Sequence, residues 1–334
     1  MRAHLLGWTL VAALLLEPLL EKVLHLPHSW GIAQLLMPVI FAYTIIGLGL
    51  NIITGFTGLL NLGVAGFVAI GAYAYSMATS PIYPFQIGFW PGLGVAILVA
   101  AGVGAALSLP TMRLRGDYLA IVTLGFSEII EDLLKNLAPI TKGTTGIDPV
   151  PPPSLPGLDF TTAHTLDFYY LYLALAALAA LIAYRLRQSR VGRGWVAVRE
   201  DELAARASGV VAVRAKLSAF CWGSAFAGAG GALLVAQGGT SFDPDYYSFQ
   251  QSIIVLSAVI VGGMGSIPGV LLGSALMFGL NSVVLVKLPW LMNAKYLLYG
   301  LTMILTMRFM PRGLVPVRET GKRPAPPGAV RAGA

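Results

Sequence analysis

Residues 185–216 read RLRQSRVGRGWVAVREDELAARASGVVAVRAK, a polar stretch set between two long apolar runs. That contrast decides the fold, because the whole chain is 56% hydrophobic and only 11% charged. Basic residues crowd the stretch: Arg185, Arg187, Arg190, Arg193, Arg199, Arg206, Arg214 and Lys216. Near its middle Glu200, Asp201 and Glu202 make an acidic first turn, residues 203–207 favour helix, and Gly209 stands where a left-handed C-cap belongs. Such a helix is about 10–12 Å long. Glu202, Ala205 and Gly209 fall at i, i+3 and i+7, so they share one face. The arginines alone would only fix membrane topology. The acidic-then-small pattern adds a docking helix that fits a groove on a soluble partner.

Outward from this stretch the chain reads as membrane protein. Its 334 residues have a mean hydropathy of +0.75, and apolar runs of about 18–24 residues recur. The runs are continuously apolar, which excludes the alternation of a β-barrel. The fold class predicted is all-α, a polytopic integral membrane protein with about ten transmembrane helices. The net charge of +7 sits mostly in loops and the tail, so it reports orientation and not a nucleic-acid partner. The lone cysteine, Cys221, lies inside an apolar run and excludes an internal disulfide.

In chain order the spans fall at 5–20, 31–50, 57–78, 90–111, from 118, 168–184, 217–237, from 252, from 268 and 296–309. The first follows a basic start at Arg2, is interrupted by Glu17 and Pro18, lacks a small-residue cleavage site, and is read as retained. Asn51, Thr54, Gly55 and Thr57 make an uncharged turn expected to be buried in protein. Residues 138–167 are the longest external segment, where Pro149, Pro151, Pro152, Pro153 and Pro156 preclude a regular helix. Gly223, Gly228, Gly230 and Gly231 give one span a face that another helix can approach closely. The eighth span breaks at residues 262–266 (GGMGS) and the ninth resumes after it. Residues 1–315 thus form one membrane domain, with 185–216 as its coupling loop. Residues 316–334, rich in Pro, Gly and Arg, form a disordered basic tail.

Basic residues set the orientation. With a cytoplasmic N-terminus, Arg113, Arg115, the 185–216 stretch, Arg308, Arg312 and the tail lie inside. Lys22, Lys142, Lys287 and Lys295 then lie outside, which satisfies the positive-inside rule.

Enzymatic chemistry finds no foothold. No G-x-x-x-x-G-K-[ST] phosphate loop occurs, and His4, His25, His28 and His164 show no metal-ligand spacing. No catalytic residue, metal site or cofactor is therefore expected in this chain. A secondary transporter or channel would need an ion site in its spans and would have no use for the 200–209 helix.

For a solute path, Asn51 and Asn61 supply hydrogen bonds within the spans. Glu128 lies eleven residues after Asp117, roughly 16 Å along a helix and near the middle of a hydrocarbon core about 30 Å thick. Glu131 has Lys135 at i+4, whereas Glu128 faces Glu131 and Asp132, of like charge. Glu128, with Thr123 and Ser127 near it, is expected to line the path and hold an ammonium group. The alternative is that the span ends early and leaves Glu128 in an outward vestibule.

Several motifs resemble a known family. Glu202-Leu203-Ala204-Ala205 followed by Gly209 resembles the E-A-A…G loop of ABC-importer permeases, with Leu203 as an extra residue. Residues 197–220 (AVREDELAARASGVVAVRAKLSAF) are similar to the branched-chain amino-acid permease family, in its LivM-type subunit. So are residues 61–67 (NLGVAGF) with Gly71-Ala72-Tyr73, residues 114–124, 141–147 and 311–314. Two positions depart from the pattern: Val64 stands where the family commonly has histidine, and Glu131 where it often has arginine. The resemblance implies that Glu202, Ala204, Ala205 and Gly209 couple the chain to an ATPase. It also implies a paralogous permease subunit, two ATP-binding cassette subunits that bind the ATP, an external solute-binding protein, and a bacterial inner membrane with its lipid. Branched-chain amino acids are the implied solutes, with urea and short amides as the alternative within the family.

Overall fold

The computed structural model describes residues 32–111, 116–153, 165–279, 295–310 and 313–315. The expected span at 5–20, Arg113, Arg115, Lys22, Lys287, Arg312, the histidines and the tail at 316–334 lie outside them. Among the described residues every regular element is helical.

Helix α1 (Ile32–Leu50) runs without interruption into a π-helical turn, Asn51–Phe56, whose six residues are all buried. The uncharged turn expected here is therefore buried as predicted, but it is a widened helical turn. Helix α2 (Val64–Thr79) begins later than the expected 57. Gly58, at φ +71°, breaks the run, and the Asn61 side chain accepts from Gly63 N at 2.8 Å in a local turn that competes with helix. Helices α3 (Phe89–Thr111), α4 (Asp117–Asn136) and the single turn α5 (Ala138–Thr141) follow. Helix α6 (Thr165–Gln188) continues well past the expected end at 184.

Residues 185–216 are far more ordered than a loop. After α6 come α7 (Arg190–Glu200) and α8 (Glu202–Ala207), and α9 (Ala212–Gly238) begins before the charged stretch ends. Helices α10 (Phe249–Gly262) and α11 (Ile267–Gly279) flank the predicted glycine break, and α12 (Lys295–Phe309) follows.

Helix α9 is the centre of the packing and lies against α1, α2 and α3. In lipid no hydrophobic force drives helices together, so close backbone approach supplies the attraction, and the small residues on α9 permit it. A Cβ on Gly71 of α2 would land in the backbone of Gly228, and one on Gly231 in the carbonyl of Val68. A Cβ on Gly49 of α1 would sit 2.8 Å from Phe226 Cβ, and one on Gly104 of α3 2.6 Å from Ser224 Cβ.

Among the described residues four helical segments are long and apolar enough to cross a membrane: Met37–Phe56, Phe89–Thr111, Leu166–Gln188 and Ala212–Gly238. Helix α4 matches them in length, but Asp117, Glu128, Glu131, Asp132 and Lys135 break its apolar character. Helices α10 and α11, of 14 and 13 residues, are each about 20 Å long and shorter than a hydrocarbon core. They form a tight hairpin in which Gly262 and Gly269 meet backbone to backbone. The all-helical, apolar architecture expected is present, while the count of about ten spans is not reached by length and composition alone among the described residues, where several helices are short or charged.

The two ends of the bundle differ. At one end the π-turn, α7, α8, the hairpin tip and residues 313–315 converge, with Leu314 N donating to Val261 O at 2.9 Å. At the other, Val150 N donates to Gly239 O at 2.7 Å, Ser80 Oγ to Pro149 O at 2.8 Å, and a short helical turn, Pro244–Tyr247, leads into α10.

Candidate functional site

The charged segment is built from its caps inward. Ser189 Oγ accepts from Gly192 N at 3.2 Å and starts α7. Gly192, Trp195 and Val198 form the buried face of that helix. The Trp195 ring is fully buried, and its Nε1 donates to Ala215 O at 3.1 Å and Ser218 Oγ at 2.9 Å, which fastens α7 to α9. Asp201 alone separates α7 from α8. Its carboxylate accepts from Leu203 N at 2.8 Å and Ala204 N at 3.0 Å, a helix N-cap worth about 1 kcal/mol.

Helix α8 is held to its own chain by two of the four expected coupling residues. Ala205 is only 4% exposed, and Glu202 accepts from Arg206 at 2.5 Å and from Lys216 at 3.1 Å. Burial pushes the Glu202 carboxyl up, but Lys216 and then Arg206 outweigh it and hold the group below its ordinary value of 4.5. Ala204 and Gly209 are exposed, and Gly209 has φ +84° with open space where a Cβ would stand. Its N–H donates to Arg206 O at 3.0 Å and closes the helix as the sequence predicts. The face shared by Glu202 and Ala205 therefore points inward, and Leu203 (67% exposed), Ala204 and Ala207 present the outer one.

The expected solute-path residues fall in separate places. Asn51 is fully buried in the π-turn, and its Oδ1 accepts from Gly265 N at 2.7 Å at the hairpin tip. Asn61, Thr123 and Ser127 come together where α4 presses on the start of α2. Thr123 Oγ1 accepts from Leu62 N at 3.1 Å and donates to Ala120 O at 3.0 Å. A Cβ on Gly66 would stand 3.1 Å from Ser127 Cα. Asn61 Nδ2 and Ser127 Oγ are buried there without a partner.

Glu128, next in sequence to Ser127, faces away into an open cleft of about 440 Å³ lined by Glu128, Glu131, Asp245, Ser248, Phe249 and Gln250. The Glu131–Lys135 pair expected from their spacing is present at 2.7 Å, and Lys135 also reaches Asp245 at 2.5 Å. The hydrogen bond from Lys135 holds the Asp245 carboxyl below its usual range. Glu128 thus shares its cleft with Asp245 and the start of α10, at the end opposite α8. Asp245 was not signalled by the sequence, since nothing local links it to Lys135, and neither were Trp195 and Arg199, whose helix was hidden among charges.

Residues 32–307 match the family model described as branched-chain amino acid transport system / permease component. The chain is 40% identical over 297 residues to the high-affinity branched-chain amino acid transport system permease protein LivM of Salmonella typhimurium, and equally to that of Escherichia coli; each match covers 82% of this chain and 68% of the relative. The LivH permease protein of E. coli is 26% identical over 255 residues, 70% of this chain and 79% of LivH. No solved structure matches. The chain belongs to the branched-chain amino acid transport system permease family.

Proposed function

We propose that the chain is the LivM-type permease subunit of an ABC importer that carries branched-chain amino acids across the bacterial inner membrane. A paralogous permease of the LivH kind completes the membrane unit, two ATPase subunits bind the ATP, and an external binding protein delivers the solute. The chain itself carries no cofactor and performs no covalent step; it supplies one half of an alternating-access path. The N- and C-termini and α8 face the cytoplasm, and the Glu128 cleft faces outward.

One observation carries the docking role: α8 is a capped helix anchored on its inner face, leaving Leu203, Ala204 and Ala207 exposed on its outer one. Small exposed residues let an ATPase groove close over the helix backbone. Ala204→Glu puts bulk and charge on that face without touching the anchor. The variant is expected to accumulate in the membrane, to copurify poorly with the ATPase subunits and to lose uptake. Normal copurification and uptake would remove α8 from the docking surface.

A further inference from the structure

The π-turn Asn51–Phe56 is gripped from two sides by elements that do not otherwise meet through it. From the charged segment, Arg199 in the last turn of α7 donates from Nη1 to Gly55 O at 2.5 Å. Its stem covers Gly58, where an added Cβ would be 3.0 Å from Arg199 Cγ. The Phe56 ring stacks near Trp195, at 6.4 Å and 13°, and the Arg187 guanidinium lies over it at 5.5 Å. From the hairpin, Gly265 N donates to Asn51 Oδ1 at 2.7 Å, and Gly265 N would lie 2.5 Å from a Cβ on Gly55. Gly55 therefore touches both grips through one peptide unit.

We propose that Arg199 is the positioning residue through which movement of α8 drives the α10–α11 hairpin, with the π-turn as the stiff link. Only Asp201 lies between α7 and α8, so a displacement of α8 arrives at the turn of α7 that carries Arg199. The hairpin is close-packed through Gly262, Gly269 and Gly273, so it moves as one body. Its far end reaches the solute-path cluster: Ser252 Oγ on α10 accepts from Ala65 N at 3.0 Å in the first turn of α2. Asn51 Nδ2, buried with no acceptor, leaves a donor ready for a second position of the tip. Two backbone hydrogen bonds beside the tip, Leu314 N to Val261 O and Val315 N to Gly262 O, come from the chain after α12 and not from the charged segment.

The inference rests on the docking role proposed for α8, and the test separates the two. The full assembly is purified and placed in vesicles with Cys221→Ser and Met264→Cys, position 264 being an exposed residue at the hairpin tip. Two quantities are measured: solute transported per ATP hydrolysed, and the rate at which position 264 reacts with a thiol reagent with and without trapped nucleotide. With Arg199 intact the labelling rate is expected to change with nucleotide. Arg199→Gln should keep the ATPase subunits bound, abolish that change and lower transport per ATP about tenfold, the scale of one lost charge-assisted hydrogen bond. Arg199→Lys, which keeps a cationic donor, should restore most of both. If Arg199→Gln does not accumulate, Arg199→Met, which keeps the stem over Gly58 and removes the donors, carries the same comparison. Full transport per ATP in Arg199→Gln, or in Arg199→Met where that variant takes its place, overturns the inference alone, as does a tip that labels identically in both nucleotide states. Absence of ATPase subunits from the unaltered assembly overturns the docking reading and the inference with it.

Discussion

Glu202 and Lys216, fourteen residues apart in sequence, meet at 3.1 Å and tie α8 to the first turns of α9. Lys216 is only 5% exposed, and Glu202 is the carboxylate it reaches. Removing Glu202 would leave a nearly buried ammonium without its carboxylate and release one side of α8. Glu202→Gln is expected to destabilise the segment by roughly 1.5–3 kcal/mol, the scale of a hydrogen bond to a charged group. Limited proteolysis across residues 201–211 reports it as faster cleavage. Because the Glu202 pKa is lowered on folding, its contribution is complete above the ordinary value of 4.5 and lost as pH falls through the lower folded value. The difference in cleavage rate between Glu202→Gln and the unaltered chain should stay constant from about pH 6 to 8 and close only below about pH 4. A difference that closes near neutrality would mean that another group sets the stability of α8.

Orientation is tested with two exposed positions at opposite ends of the bundle, Thr144 and Ala204. In a Cys221→Ser background, Thr144→Cys should react with a membrane-impermeant thiol reagent in intact cells, and Ala204→Cys only after the membrane is opened. Reaction of position 204 from outside would reverse the topology and take α8 away from any cytoplasmic ATPase.

Glycine contacts at the centre of the fold give a stability prediction with an internal control. A Cβ on Gly71 would collide with the Gly228 backbone, which cannot rotate aside as a side chain can. Gly71→Ala is expected to cost about 1–3 kcal/mol through forced separation of α2 and α9. Gly102, on the exposed face of α3, has nothing within 4 Å of the same added atom. Gly102→Ala should be neutral or gain up to about 1 kcal/mol from helix propensity. Melting of the detergent-solubilised protein compares the two, and equal melting temperatures would show that the α2–α9 contact tolerates separation.

What the sequence made legible was whatever a local pattern encodes. The break at residues 262–266, the cap at Gly209, the Glu131–Lys135 spacing and the small-residue face of α9 all involve neighbours within a few positions, and all are present. Helix α7 escaped notice because its buried face is only Gly192, Trp195 and Val198, set among arginines that read as a loop. The direction of α8 was likewise hidden. Helical spacing says that Glu202 and Ala205 share a face, but which face turns inward depends on Lys216 across the corner. The joint at Gly55 draws on Arg199 and Gly265, and no one-dimensional pattern brings those together.

Glu128 is the remaining test of the path. Its cleft holds three carboxylates, Glu128, Glu131 and Asp245, and the ammonium of Lys135 is already engaged by the latter two. Glu128 is exposed there and has the next position on the helix, Ile129, turned outward beside it. An uncompensated carboxylate facing hydrocarbon costs several kcal/mol, so the cleft must be wet or covered by the neighbouring permease. Either setting suits a site that attracts the ammonium end of an amino acid arriving from outside. Glu128→Gln keeps the shape and removes the charge. It should raise the solute concentration needed for half-maximal uptake about two- to fivefold, the effect of losing one screened ion pair worth roughly 0.5–1 kcal/mol. Accumulation in the membrane and association with the ATPase subunits should not change. Asp245→Asn provides the contrast: Lys135 keeps Glu131 as its partner at 2.7 Å, so the ammonium stays paired and the half-maximal concentration should move less than in Glu128→Gln. Raised salt should lessen the attraction in the unaltered protein. Uptake kinetics in Glu128→Gln that match the unaltered chain at low salt would take the charge of Glu128 out of solute capture.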